Sequence, residues 1–279
     1  MGQQTRHRTV DAGGLSLATV EAGIGGRPLL LVHGFTGAKE DFVDVLDPLA
    51  EAGWHAVAPD LRGHGGSAKP ASEDAYDLET FSDDLWALVE ALAWEDLVLL
   101  GHSMGGMVAQ VAAVRHPERL RGLVLMDTSH GPPDGIDGSL VDLGVTVARQ
   151  QGMEVLCDLQ AQHADPMGTP AAARLRAERP GWEDFERRKF LASSPAMWAA
   201  MAPKMLSQAD RIEALARLSI PVLVMVGEQD QPFLGPSERM AKAIPSARLA
   251  VIPGAGHSPQ FENTEGWWAA LTRFLEEVS

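Results

Sequence analysis

The chain has 279 residues, of which 45% are hydrophobic and 22% charged, the proportions of a folded domain with a sizeable core rather than of a disordered or fibrous chain. Its formal net charge of −15 opposes binding to nucleic acid or to an anionic membrane surface. A single cysteine, Cys157, rules out an internal disulfide. Neither a metal-ligand motif nor a glycine-rich dinucleotide fingerprint occurs, so no metal and no cofactor is expected.

The start, Met1-Gly2-Gln3-Gln4-Thr5-Arg6-His7-Arg8, is polar and lacks the apolar segment of a signal peptide. No apolar run is long enough to span a bilayer. A cytoplasmic location without membrane partners is the expectation.

Residues 9–21 read as a hairpin turning at Ala12-Gly13-Gly14. Strands and helices then alternate: strand 29–32, helix 42–52, strand 56–59, helix 78–92, strand 97–100, helix 107–116, strand 123–127. Such alternation predicts an α/β fold, a mostly parallel doubly wound sheet with helices on both faces. Asp41 is expected to cap the first helix, and Thr80 or Ser82 the second.

The run Leu97-Val98-Leu99-Leu100 leads directly into Gly101-His102-Ser103-Met104-Gly105-Gly106. A Gly-x-Ser-x-Gly between a strand and a helix is the setting of a nucleophile elbow. Ser103 must occupy a strained turn, and Gly101 and Gly105 leave room for chain passing close by.

The alternation breaks at Ser129-His130-Gly131-Pro132-Pro133-Asp134-Gly135 and resumes near Leu218. The segment between has helical character and is rich in large apolar residues: Met153, Met167, Trp182, Met197, Trp198, Met201 and Met205. Residues 129–217 therefore read as a helical cap inserted between two parts of one core, 1–128 and 218–279. Met197, Met201 and Met205 share one helical face, which either packs the cap on the core or forms an adaptable pocket wall. Arg174, Arg176, Arg179, Arg187 and Arg188 are interleaved with Glu178, Glu183 and Glu186, as on a solvated surface.

Two further strands follow. One, at 221–226, ends in Gly227-Glu228-Gln229-Asp230; the other, at 248–252, ends in Pro253-Gly254-Ala255-Gly256-His257. The chain order is thus serine, acid, histidine, each after a strand.

With these motifs, and with His33-Gly34-Phe35-Thr36-Gly37 and Asp60-Leu61-Arg62-Gly63-His64-Gly65-Gly66-Ser67 at strand ends, the chain resembles the α/β-hydrolase superfamily. The chemistry assigns Ser103 as nucleophile, His257 as base and Asp230 as the group that fixes its tautomer. The oxyanion hole is expected from the backbone N–H groups of Phe35 and Met104. Glu228 and Asp127 are rivals to Asp230. His33 is expected to bond backbone in the oxyanion loop, and His102 to pack beneath the elbow. Phe35, Met104, Met197, Trp198 and Met201 are candidates for the pocket wall.

The resemblance implies a serine hydrolase acting on a small, mainly apolar carboxylic ester or lactone. A serine rather than an aspartate at the elbow, and the lone Tyr76 lying before the cap, argue against dehalogenase and epoxide-hydrolase chemistry. Carbon–carbon bond hydrolysis, acyl transfer and perhydrolysis use the same three residues and remain alternatives. Ser258 replaces the large residue that carbon–carbon hydrolases commonly carry after the histidine. A slow-turnover ligand-binding receptor is a further alternative.

Overall fold

The computed structural model describes residues 5–135, 138–163 and 168–279. Of the cap methionines, Met167 lies outside the described residues. β1 (Arg6–Ala12) and β2 (Leu15–Ala22) form the antiparallel hairpin, turning at Gly13 and Gly14. β2 pairs antiparallel with β4 (Trp54–Pro59). From β4 onward the pairing is parallel, through β3 (Arg27–Val32), β5 (Leu97–His102), β6 (Leu120–Met126), β7 (Val222–Gly227) and β8 (Ala247–Ile252). The order across the eight-stranded sheet is β1-β2-β4-β3-β5-β6-β7-β8.

The central strands are apolar without alternation because both of their faces are covered. On β3, Leu30 and Val32 join one core cluster while Leu29 and Leu31 join the other. The first cluster includes residues of α2 (Leu78–Ala91), α3 (Met104–Arg115) and α9 (Gln231–Ala243). The second includes residues of α1 (Val43–Glu51) and α11 (Thr264–Glu277). A short helix, α10 (Pro259–Glu262), precedes α11.

Two helix caps differ from the sequence expectation. Asp41 does not cap α1. It lies inside a 3₁₀ turn, Lys39–Phe42, where its Oδ2 accepts the Ala38 N–H at 3.1 Å. Neither Thr80 nor Ser82 caps α2. Asp77 does so, accepting the Thr80 N–H at 2.7 Å, because the apolar periodicity already begins at Leu78.

Between β6 and β7 lies the inserted helical cap. It comprises α4 (Ser139–Gln160), α5 (Pro170–Glu178), α6 (Trp182–Leu191), α7 (Pro195–Ser207) and α8 (Ile212–Leu215). α4 is broken at Gly152, where φ is 82°. Long cations tie the cap to the core. Lys189 reaches Asp41 at 2.6 Å, Lys204 the Tyr76 carbonyl at 2.6 Å, and Arg149 both oxygens of Glu73 at 2.7 Å. Among the described residues no helix is long and apolar enough to cross a membrane.

Candidate active site

β5 ends at His102 and α3 begins at Met104, so Ser103 makes the whole connection. Its backbone has φ 54° and ψ −120°, a region that costs a non-glycine residue about 1–3 kcal/mol. The neighbours hold it there. The Ser103 N–H donates to the Met126 carbonyl at 2.9 Å, and the Thr128 hydroxyl donates to the Ser103 carbonyl at 2.7 Å. The two flanking glycines have the steric role that the motif implied. A Cβ on Gly101 would overlap the Gly105 carbonyl, and one on Gly105 would overlap the carbonyls of Val32 and His33.

The loops after β7 and β8 bring two side chains to this serine. Ser103 Oγ lies 2.9 Å from His257 Nε2, and His257 Nδ1 lies 2.8 Å from Asp230 Oδ2. A carboxylate only accepts, so Nδ1–H donates to Asp230 and Nε2 is left to accept the Ser103 hydroxyl. The side chain of Asp230 is 1% exposed and that of His257 20%. Burial pushes the Asp230 pKa up, but the His257 charge and hydrogen bond outweigh it and leave the carboxyl below its ordinary value.

The His257 ring is held on two sides. Phe233 stacks on it with centroids 4.9 Å apart, and His102 lies at the same distance with its ring tilted by 46°. His102 Nε2–H also donates to the His257 carbonyl at 2.7 Å. Burial, reinforced by the neighbouring His257, lowers the His102 pKa to about 3, so this ring is a neutral strut. Glu262 braces the same turn. Its Oε2 accepts the N–H of Gly256 at 2.6 Å and of Ser258 at 3.2 Å, the residues on either side of His257. Burial pushes its carboxyl pKa up.

Sequence reasoning missed Phe233 and Glu262. The available signal for Glu262 was an acid five residues after the histidine. Phe233 offered only its position at the start of a helix.

Phe35 lies in the turn after β3 that the Gly37 N–H closes on the Gly34 carbonyl at 3.0 Å. This turn runs against the elbow, since a Cβ on Gly34 would sit 3.0 Å from Ser103 Cβ. Met104 opens α3, where its N–H has no acceptor within the helix. His33 supports the turn from below. It donates from Nδ1 to the Gly34 carbonyl at 2.8 Å and accepts the Leu61 N–H at Nε2 at 3.0 Å.

The Phe35 ring lies 5.7 Å from that of Trp198 on α7, so this pair joins the turn to the cap. Met197 and Met201 are fully buried in the core cluster. Met197 packs against Gly63 of the core, beside the Tyr76 ring that meets the same glycine, as a residue seating the cap on the core does. Met205 is half-buried against the same cluster.

One oxygen each of Asp127 and Asp230 and one nitrogen of His257 lie within 4.8 Å of one another, the one such group among the described residues. Both ring nitrogens of His257 are already engaged, one donating to Asp230 and one facing Ser103. The ring therefore has no uncommitted lone pair for a cation, and this donor set fits a hydrogen-bonded relay better than a metal site.

The alpha/beta hydrolase fold model matches residues 27–264. The chain belongs to the α/β-hydrolase fold family. Among its relatives, this α/β-hydrolase is 31% identical to 2-(acetamidomethylene)succinate hydrolase of Mesorhizobium japonicum, over 96% of this chain and 95% of the relative. It is also 31% identical to non-heme chloroperoxidase CPO-A1 of Kitasatospora aureofaciens, over 83% of this chain and 85% of the relative. Among solved structures, a thermophilic esterase from Thermogutta terrifontis superposes with a TM-score of 0.80 at 30% identity, over 98% of this chain and 99% of that one.

Proposed function

We propose that this α/β-hydrolase is a serine hydrolase that cleaves a small, mainly apolar carboxylic ester or lactone through an acyl-enzyme on Ser103. The observation that carries this reading is the continuous chain from Ser103 Oγ through His257 to Asp230, at 2.9 Å and 2.8 Å, on a serine held in a strained turn. Ser103 Oγ attacks the acyl carbon while His257 Nε2 takes its proton. The two N–H groups of Phe35 and Met104 hold the developing oxyanion. Collapse expels the alcohol, which receives the proton from His257. Water then repeats the sequence in reverse and releases the acid. Asp230 keeps the ring in the required tautomer throughout.

The apolar preference rests on the Phe35 ring, which meets Trp198 of the cap, and on Met104, which opens α3 after the elbow and is buried in the core cluster. Met197 and Met201 act from behind, through the seat of the cap. The core is taken as residues 1–128 and 218–279, with 129–217 as the cap.

The test is a panel of short-chain p-nitrophenyl esters, simple lactones and vinylogous diketones, read with intact-mass spectrometry after a fluorophosphonate label. The expected result is turnover of esters or lactones and one label on Ser103. Absence of both overturns the reading. The likeness to a chloroperoxidase motivates one further arm, with hydrogen peroxide present. Peroxide replacing water at deacylation gives a peracid from the same acyl-enzyme, and peracid formation faster than hydrolysis would favour perhydrolysis.

A further inference from the structure

Asp127 follows β6 just as Asp230 follows β7, and the mechanism above does not use it. It is fully buried and has a positive φ of 46°, a conformation that aspartate and asparagine tolerate better than most residues. Its backbone N–H donates to the Met225 carbonyl at 2.8 Å, and its Oδ1 accepts the Gly227 N–H at 2.8 Å. The Gly227 carbonyl in turn accepts the Asp230 N–H at 3.1 Å. The two aspartates are thus locked to one another through the end of β7.

The other oxygen, Oδ2, is buried and receives no hydrogen from any donor among the described residues. One oxygen of Asp127, one of Asp230 and one nitrogen of His257 lie within 4.8 Å of one another, so the two carboxyls are neighbours. Two ionised carboxylates in this position would set acceptor against acceptor in a site closed to water. One proton resolves the conflict, and it belongs on the oxygen that has no donor.

We infer that Asp127 is held as a neutral carboxylic acid whose Oδ2–H donates to the Asp230 carboxylate, making Asp127 a positioning residue behind the Ser103–His257–Asp230 relay. Burial, then the charge of Asp230, pushes its carboxyl well above the ordinary value, in the same direction. The shared proton has a clear effect on the relay. It stabilises the charge on Asp230 without adding a second negative charge beside His257. It also fixes which Asp230 oxygen stays free to meet the ring. The other titratable groups around the pair are His257 from the loop after β8, Glu262 from α10 and His102 from β5, and none of them is a permanent cation.

The inference rests on the proposed triad, and its test separates the two. The first arm needs no turnover. Infrared difference spectra of the whole protein near neutral pH, Asp127→Asn against wild type, are expected to lose one protonated-carboxyl stretch. Loss of only a carboxylate band overturns the inference whether or not the protein hydrolyses esters.

The second arm is kinetic. Asp127→Ala removes the donor to Asp230 and the acceptor for Gly227 N–H, and kcat is expected to fall about 10- to 100-fold with KM little changed. Asp127→Asn supplies an N–H to Asp230 and a carbonyl to Gly227, and is expected to restore kcat to within about threefold of wild type. The acidic limb of its kcat/KM profile is expected to coincide with that of wild type, because no charge has been removed. A limb displaced to lower pH would mean that Asp127 was ionised, and would overturn the inference. Collapse of activity in Asp127→Asn with Asp230→Asn nearly unaffected would instead move the triad acid to Asp127, and with it the proposed mechanism.

Discussion

The loops at the ends of β5, β7 and β8 and the helices of the cap are held by different kinds of bond. In the loops, backbone groups do most of the holding. Ser103 N–H bonds the end of β6, His102 bonds the His257 carbonyl, and Glu262 takes the N–H on each side of His257. In the cap, long charged side chains reach across to the core, as Lys189, Lys204 and Arg149 do. A backbone group already ordered by its strand or turn brings no further rotamers to fix, whereas each lysine or arginine must be immobilised and competes with water. The site is therefore built for position, and the cap for attachment at modest cost.

The sharpest break in this comparison is Ser103→Ala. It removes one hydroxyl from a backbone that other bonds hold in place. Ester hydrolysis is expected to fall by at least about a thousandfold while the melting temperature stays close to wild type. Activity surviving in the folded variant would show that the elbow geometry is not the source of the chemistry.

Acid should attack the strand-end loops first. Burial, with the nearby His33, lowers the His64 pKa to about 3, and burial with His257 lowers that of His102 to about 3, against an ordinary 6.5. The unfolded chain therefore binds protons before the folded one does. Stability is complete above about pH 6.5 and falls toward pH 3, by about 1.4 kcal/mol per pH unit for each ring. Denaturant midpoints measured across this range test the sign. Midpoints that stay level from pH 6.5 to 4 would show that the two rings are not buried neutral.

Lys189→Ala addresses the cap. Its partner Asp41 is 6% exposed and Lys189 15%, so the substitution strands a largely buried carboxylate. A loss of about 2 kcal/mol in unfolding free energy is expected, with kcat reduced by less than about tenfold. Recovery of stability in the double variant Lys189→Met, Asp41→Asn would assign the cost to the stranded charge. A collapse in kcat with unchanged melting would make the bridge part of the site instead of part of the attachment.

Arg149→Ala is the smallest change. The pair with Glu73 is bidentate but open to solvent, and no measurable shift in melting temperature is expected. A clear shift would place more of the cap's stability in its rim than the buried contacts of Trp198 and Met197 allow.

The sheet and the elbow are legible in the chain because both are written in short-range patterns. An apolar strand, a glycine-flanked serine and a helix lie within about twenty residues, and their geometry follows from sterics alone. The loops carrying Asp230 and His257 were legible for the same reason, as acid and histidine each directly after a strand. The start of α2 was read correctly, but its cap was placed inside the helix, because Asp77 lies just before the periodicity that reveals it.

Other features arise only when distant segments pack together. The proton inferred on Asp127 depends on β6 and β7 lying side by side, although their aspartates are about a hundred residues apart. Phe233 and Glu262 touch or brace His257 only once α9 and α10 have packed. The cap left the weakest trace, because a bond such as Lys189 to Asp41 joins surfaces with no shared period. Patterns along the chain encode which face of an element is buried. They do not encode which partner waits there, and in this protein the partner decides whether a buried carboxyl holds a charge or a proton.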